Sequence, residues 1–170
     1  MRGNLKDGTV REILSALNEA GFDFVSSLPD SDFIPLQKAV AQDPRFTFAP
    51  CSNESIATGV CAGAWLGGKR PALMIATSGL IVASWPLAAI CWQWGIPLLL
   101  MIPYRGDIGD GFWIMKTYQY TTEPLLKLLQ IPIMVVRDVA SIKESIRRSM
   151  KSMEGWQTPV ALLMTGEVLS

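Results

Sequence analysis

The sequence predicts an α/β fold: a parallel sheet of about six strands, with helices on both faces, in three layers. Three observations lead there. Short, wholly apolar runs, such as Leu98-Leu99-Leu100-Met101-Ile102, alternate with segments of helical periodicity along the chain. Strands covered on both faces read as continuous apolar runs, and such strands belong to parallel sheets sandwiched between helices. The length of 170 residues suits one complete core, and no repeat, linker or low-complexity tract interrupts it. A single domain, 1–170, is expected.

The elements follow in order. Residues 9–20 place Val10, Ile13, Leu14 and Leu17 on one face, the spacing of an amphipathic helix. Residues 22–27 form a short strand. Asp30, Ser31 and Asp32 then cap a second helix reaching about Ala41, because short polar side chains accept the free N–H groups of a helix start. Residues 46–49 are the second strand. Residues 52–66 carry no charge after Glu54, which predicts a buried helix. Residues 72–76 are the third strand, ending in the turn Thr77-Ser78-Gly79. Residues 80–94 form the fourth helix, with Pro86 at a kink or in its first turn. Residues 98–102 are the fourth strand, and 107–112 a Gly-rich acidic loop. A helix at 121–130, a strand at 133–136, a long helix at 141–153 and a last strand at 160–164 complete a flavodoxin-like alternation.

Composition narrows the class. Lys plus Arg equals Asp plus Glu, so no basic balance favours nucleic acid. Hydrophobic residues reach 49% against 18% charged, which suggests surface lost to a partner. Cys51, Cys61 and Cys91 lack metal-binding spacing and read as reduced, buried thiols, pointing to the cytoplasm. The first seven residues lack the apolar core of a secretory signal. Residues 71–104 are free of charge. Thr77-Ser78-Gly79, Pro86 and Gly95-Ile96-Pro97 nevertheless divide them into pieces too short to span a bilayer. No membrane partner is expected.

In folds of this kind ligands gather at the carboxyl ends of the strands. Four loops meet there: Ser27-Leu28-Pro29-Asp30, Asn53-Glu54, Thr77-Ser78-Gly79 and Tyr104-Arg105-Gly106. Glu54 is the most informative residue among them, a lone carboxylate heading a chargeless helix. A buried acid usually has a task. Its other reading is local: an acid at the positive end of a helix capped by Ser52 or Asn53. The glycine fingerprint of dinucleotide-binding folds and the P-loop are both absent.

The series Glu54, Gly59, Ala62-Gly63-Ala64, Gly68-Lys69, Pro71-Ala72, Ser78-Gly79-Leu80, Ile96-Pro97-Leu98-Leu99 and Tyr104-Arg105-Gly106 resembles the alpha subunits of sulfopyruvate and phosphonopyruvate decarboxylases. The resemblance runs from about Gly8 to Met164 and is strongest from Glu54 to Gly106. It implies the pyrimidine-binding (PYR) fold of thiamine diphosphate enzymes. In these the cofactor lies between this domain and a second one that holds Mg²⁺ and the diphosphate. Glu54 matches the family's glutamate, which hydrogen-bonds the aminopyrimidine ring and so helps remove the cofactor's C2 proton. Ser27, Leu28 and Pro29 match the loop beside the aminopyrimidine, and Ser78 and Gly79 a loop bordering the reacting centre. Asp30, Thr77, Arg105 and Trp113 are the candidate substrate residues.

Departures accompany the match. Gly109-Asp110-Gly111 copies three letters of a metal motif, but no Asn follows, so the metal half is expected on a separate PP-domain beta subunit. A heteromer, α₂β₂ or larger, follows. Leu80-Ile81-Val82 replaces the family's polar continuation after Ser78-Gly79. There is no histidine, so acid–base help near substrate falls to the partner or to Lys116, Tyr118 or Tyr120. Trp85, Trp92, Trp94 and Trp113 suit packing, an interface or an apolar pocket. The implied function is a split, thiamine diphosphate-dependent 2-oxo acid decarboxylase releasing CO₂ to give an aldehyde. A carboligase of acyloin or acetolactate type, and a non-catalytic scaffold or regulatory subunit, stay open beside it.

Overall fold

A computed structural model describes residues 5–170; the stretch 1–4, on which part of the signal-peptide expectation rests, lies outside the described residues. Six parallel strands form one sheet: β1 (Phe24–Ser27), β2 (Thr47–Pro50), β3 (Pro71–Met74), β4 (Leu99–Pro103), β5 (Ile133–Val136) and β6 (Val160–Met164). Their order is β2-β1-β3-β4-β6-β5. The expected three layers are present. The departure from a flavodoxin-like order is that β6 lies between β4 and β5. Burial explains it: every residue of β6 is buried, whereas β5 is mostly half-buried and takes the edge. The other edge strand, β2, is also largely open.

Strand side chains alternate between two cores. Ala72, Met74, Leu99, Met101, Val160 and Leu162 face one side, where they meet α1 (Asp7–Glu19), α2 (Ile34–Gln42) and α7 (Ile142–Trp156). Leu73, Leu100, Ile102, Ala161 and Leu163 face the other, against α3 (Glu54–Leu66), α4 (Gly79–Pro86) and α6 (Thr122–Leu128). The amphipathic stripe of α1 is borne out: Val10, Ile13, Leu14 and Leu17 are all buried.

Several local expectations need correction. The start of α2 has no side-chain cap. Asp30 instead accepts the Asp32 N–H through Oδ1 at 2.8 Å, a local turn that competes with capping. The α3 helix is not buried all round: Ile56 is 58% and Leu66 77% exposed. Its lack of charge marks an uncovered apolar face. The fourth helix divides at Pro86: α4 ends there and a wider π-helical turn, Leu87–Trp92, continues it. Short helices absent from the sequence reading close the loop segment, α5 (Lys116–Gln119) after a 3₁₀ turn (Trp113–Met115), and the chain end, α8 (Gly166–Leu169). Single turns of this kind carry too little periodicity to be read.

Pro86 also explains a contact between helices. Lacking an N–H, it cannot donate to the Val82 carbonyl four residues earlier. Ser55 Oγ fills that vacancy, donating to the Val82 carbonyl at 2.7 Å and tying the first turn of α3 to α4.

The double core gives an expected contrast. Leu73→Ala, at a fully buried position of the central strand β3, should lower unfolding free energy by about 2–5 kcal/mol. Leu128→Ala, at a residue 77% exposed, should change it by less than about 0.5 kcal/mol in the same denaturant titration.

Candidate active site

The order of the sheet changes direction at β1, flanked by β2 and β3. Ligand crevices in open α/β sheets form where successive connections diverge in this way. Here α3 starts just past β2 and α4 just past β3, so the first turns of two helices face each other. Asn53 caps α3, its Oδ1 accepting from Ser55 N at 2.9 Å and Ile56 N at 3.3 Å. Of the two cap candidates the structure selects Asn53. Glu54, the next residue, is half-buried and lies against Gly79. A Cβ at position 79 would come within 2.7 Å of Glu54 Cγ and 2.8 Å of its carboxyl carbon. With Glu54 in this position a side chain at 79 would push the carboxylate aside; the constraint comes from the neighbour's volume, not from backbone angles at 79. Among the described residues, no hydrogen-bond donor meets the Glu54 carboxylate.

The loop after β1 is tightly organised. Ser27 is buried, and its hydroxyl donates to the Leu28 carbonyl at 3.1 Å and accepts from Gln37 Nε2 at 2.6 Å. Gln37 also donates to the Leu28 carbonyl at 2.6 Å. Leu28 packs in the second core, and Pro29 is exposed. This loop therefore offers backbone and ring surface rather than a free hydroxyl. Ser26 Oγ donates to the Ala49 carbonyl at 2.8 Å and lies 3.5 Å from Cys51 Sγ. Cys51 is half-buried, a correction to the expectation of three buried thiols. Cys61 and Cys91 are buried, and burial pushes the Cys91 thiol up to about 12. The Cys61 thiol is raised for the same reason.

The candidate substrate residues divide. Thr77 is buried and its hydroxyl donates to the Pro103 carbonyl, joining the ends of β3 and β4. Asp30, half-buried, has its carboxyl raised above the usual range by desolvation. Ser78 is exposed at the head of α4. Arg105 is occupied. Its Nε donates to Asp110 Oδ2 at 2.7 Å and its Nη1 to Asp32 Oδ2 at 3.0 Å. Asp110 further accepts the N–H groups of Gly106 at 3.0 Å and Phe112 at 3.1 Å. Arg105 holds the Asp110 carboxyl down to about 2. Trp113 is 73% exposed. The loop borders a cavity of about 470 Å³ lined by Asp32, Arg105, Asp107, Asp110 and Glu167 among others, and a smaller one beside Phe112, Trp113 and Lys116. Neither is lined by Glu54.

The outer face of α3, α4 and the π turn is bare and apolar. Ile56, Leu66, Ile81, Val82, Trp85 and Trp92 are all exposed, Trp85 by 77%. No Asp, Glu, Lys or Arg occurs from Ser55 to Gly68 or from Pro71 to Tyr104. Clustered exposed apolar side chains without charge among them are the usual mark of an interaction surface. Among the described residues, no helix is long and apolar enough to cross a membrane.

No protein-family profile matches the chain. Its relatives among characterised proteins are closer. The sulfopyruvate decarboxylase subunit alpha of Methanocaldococcus jannaschii is 30% identical over 163 residues, spanning 96% of this chain and 93% of that protein. The chain belongs to the sulfopyruvate decarboxylase alpha-subunit family. The phosphonopyruvate decarboxylase of Streptomyces viridochromogenes is 30% identical over 99 residues, covering 58% of this chain and 25% of that longer protein. The fold is shared with a solved 2-oxoglutarate:ferredoxin oxidoreductase from Magnetococcus marinus, at a TM-score of 0.76 and 18% identity over 95% of this chain and 29% of that one.

The sheet thus brings Glu54, Gly79, Ser78 and Leu28-Pro29 to the carboxyl ends of three neighbouring strands, with Glu54 packed against Gly79. It sets Arg105 and Trp113 apart on the loop after β4. Sequence reasoning missed Gln37, Asp32 and Asp110. A Gln on the first turns of a helix carries no motif, and Asp110 read as an accident of a Gly-rich loop.

The Asp110 carboxyl is lower in the folded chain than an ordinary aspartate, so it stabilises the fold fully above about pH 4. That contribution is lost as pH falls from about 4 toward 2. On the order of 1 kcal/mol is at stake, allowing for solvent screening. Asp110→Asn should flatten that part of the stability-against-pH curve, read by thermal melting from pH 6 down to 2.

Proposed function

We propose that this chain, as one PYR-type domain, is the pyrimidine-binding half of a split thiamine diphosphate-dependent 2-oxo acid decarboxylase. The observation that carries the reading is the Glu54–Gly79 contact. A carboxylate with no described donor sits in a cradle that a Cβ would fill, in a chain related over nearly its whole length to sulfopyruvate decarboxylase alpha subunits. Those residues fit an aminopyrimidine ring. Glu54 would hold a proton toward a ring nitrogen, with Gly79, Ser78, Leu28 and Pro29 bounding the ring and Ser27 bracing the loop behind it. The cofactor, when bound, supplies the electron sink for loss of CO₂. Full exclusion of water requires a second surface over the crevice.

The chargeless face beside the crevice suits that second surface. The partner in this reading is a separate PP-domain beta subunit, which supplies most of the contacts to Mg²⁺ and the diphosphate. The assembly is α₂β₂ or larger and works in the cytoplasm. The names of the relatives favour decarboxylation over carboligation, with sulfopyruvate and phosphonopyruvate as first substrates to try. The segment 107–120, which holds Phe112, Trp113, Tyr118 and Tyr120, would select among 2-oxo acids. Asp30 and Thr77 serve that region from behind: Asp30 through the turn to Asp32, and Thr77 by fixing the β4 end.

Two outcomes are expected. In the complex with its partner, Glu54→Gln should slow exchange of the cofactor's C2 proton by about 10²-fold or more with little change in melting temperature. Unchanged exchange would remove Glu54 from the chemistry. The chain alone should bind thiamine diphosphate and Mg²⁺ more weakly than about 100 μM in calorimetry and should self-associate in sedimentation. Micromolar binding by the lone chain would contradict a divided site.

A further inference from the structure

We propose that Arg105 is a positioning residue, a latch that fixes the loop 106–112 at the mouth of the substrate region, and that it does not receive the substrate's anionic tail. The inference rests on the decarboxylase reading for its link to substrate, and on geometry alone for the latch.

A guanidinium placed to receive a substrate anion is not already committed to protein carboxylates. Each nitrogen of Arg105 donates to one: Nε to Asp110 Oδ2 at 2.7 Å, Nη2 to Asp110 Oδ1 at 3.3 Å and Nη1 to Asp32 Oδ2 at 3.0 Å, three of its five N–H groups. Two carboxylates against one cation leave the triad with a net negative charge. The three side chains are 16%, 14% and 6% exposed, so water screens them poorly. A sulfonate or phosphonate entering there would meet repulsion. Asp107 and Glu167 line the same cavity and add carboxylates, although Asp107 is paired with Arg137 at 2.6 Å.

What the triad does instead is set backbone. Asp110 collects two donors from Arg105 and two more from the Gly106 and Phe112 N–H groups. One carboxylate thus fixes both ends of the 106–112 turn. Gly106 has φ +79°, and a Cβ there would meet the Met115 carbonyl at 2.5 Å and Gln119 N at 2.8 Å. The turn is therefore packed directly on the segment carrying Trp113. Asp32 belongs to the loop after β1 and Arg105 to that after β4, two strands away in the sheet. The ion pair spans the end of β3, where Thr77 donates to Pro103. Loop placement is transmitted from the β1 loop to residues 106–112 through this bridge.

The test uses the co-expressed complex and the variants Arg105→Gln, Arg105→Lys, Asp110→Asn and Arg105→Gln/Asp110→Asn. Steady-state rates are measured with sulfopyruvate and with 2-oxobutanoate, whose tail is uncharged. A latch predicts that Arg105→Gln and Asp110→Asn raise KM for both substrates by a similar factor, about tenfold, with kcat less affected. The double variant should be no worse than either single one. Arg105→Lys, which cannot bridge both carboxylates in a fork, should not restore the wild-type KM. Chymotrypsin should cut at Phe112 and Trp113 several-fold faster in every variant, including in the isolated chain. A rise in KM confined to sulfopyruvate, with Asp110→Asn lowering it, would make Arg105 the anion receptor and overturn the proposal. So would unchanged cleavage with unchanged KM. If the wild-type complex decarboxylates no 2-oxo acid, the decarboxylase reading fails while the cleavage rates still decide the latch. Asp32→Asn cuts only one of the two ties and serves where the stronger variants do not fold.

Discussion

Glu54 can lie where it does only because residue 79 has no side chain. Two helices begin at neighbouring strand ends, one headed by a carboxylate and the other by a glycine, and the first occupies the space the second leaves. Much of the surrounding construction serves that approach. Asn53 fixes the start of α3, Ser55 ties it to α4, and Ser27 with Gln37 braces the loop after β1 on the other side. The parallel sheet sets the distances, since each helix starts within a few residues of a strand whose register with its neighbours is fixed.

Charge and apolar surface are segregated across the molecule. The loop after β4 gathers Arg105, Asp110, Asp107 and the nearby Asp32 into ion pairs, with Tyr104 donating to Glu123 at 2.5 Å alongside. Beyond Glu54 at its head, the face of α3, α4 and the π turn carries no charged residue. Ionic contacts in a low-screening loop fix geometry, because they lose energy steeply with misplacement. An apolar face is nondirectional and suits a broad contact. The apolar face adjoins the helix that Glu54 heads, while the ionic loop stands apart at the end of β4.

The architecture was legible because buried parallel strands announce themselves as apolar runs, and Leu99–Pro103 and Val160–Met164 are unambiguous. The position of β6 inside β5 was not. Both runs are apolar, and only packing decides which lies at the edge. Glu54 was legible as an isolated carboxylate in a chargeless stretch, and Gly79 by its place in the turn after β3. The reading of α3 as buried failed for a physical reason: sequence reports what a face is made of, not what covers it. Arg105 was found but its partners were not. Asp32 is 73 residues away in the chain, and local pattern holds no trace of a contact made by topology. Asp30 and Asp32 looked like helix caps because caps and local turns use the same residue types.

The bond from Ser55 to the Val82 carbonyl makes two distant positions a compensated pair. The hydroxyl is needed because Pro86 withholds an N–H, and the proline is harmless because the hydroxyl is there. Neither residue stands alone as favourable: a serine on an otherwise apolar helix gains little, and a proline within a helix is costly. As sequences of this kind drift, the order of change therefore matters. Replacement of the proline first frees the serine to vary. Replacement of the serine first leaves that carbonyl, at a residue 44% exposed, to solvent one turn from the Glu54 contact. The helix break and the head of α3 are thereby coupled through a single hydroxyl.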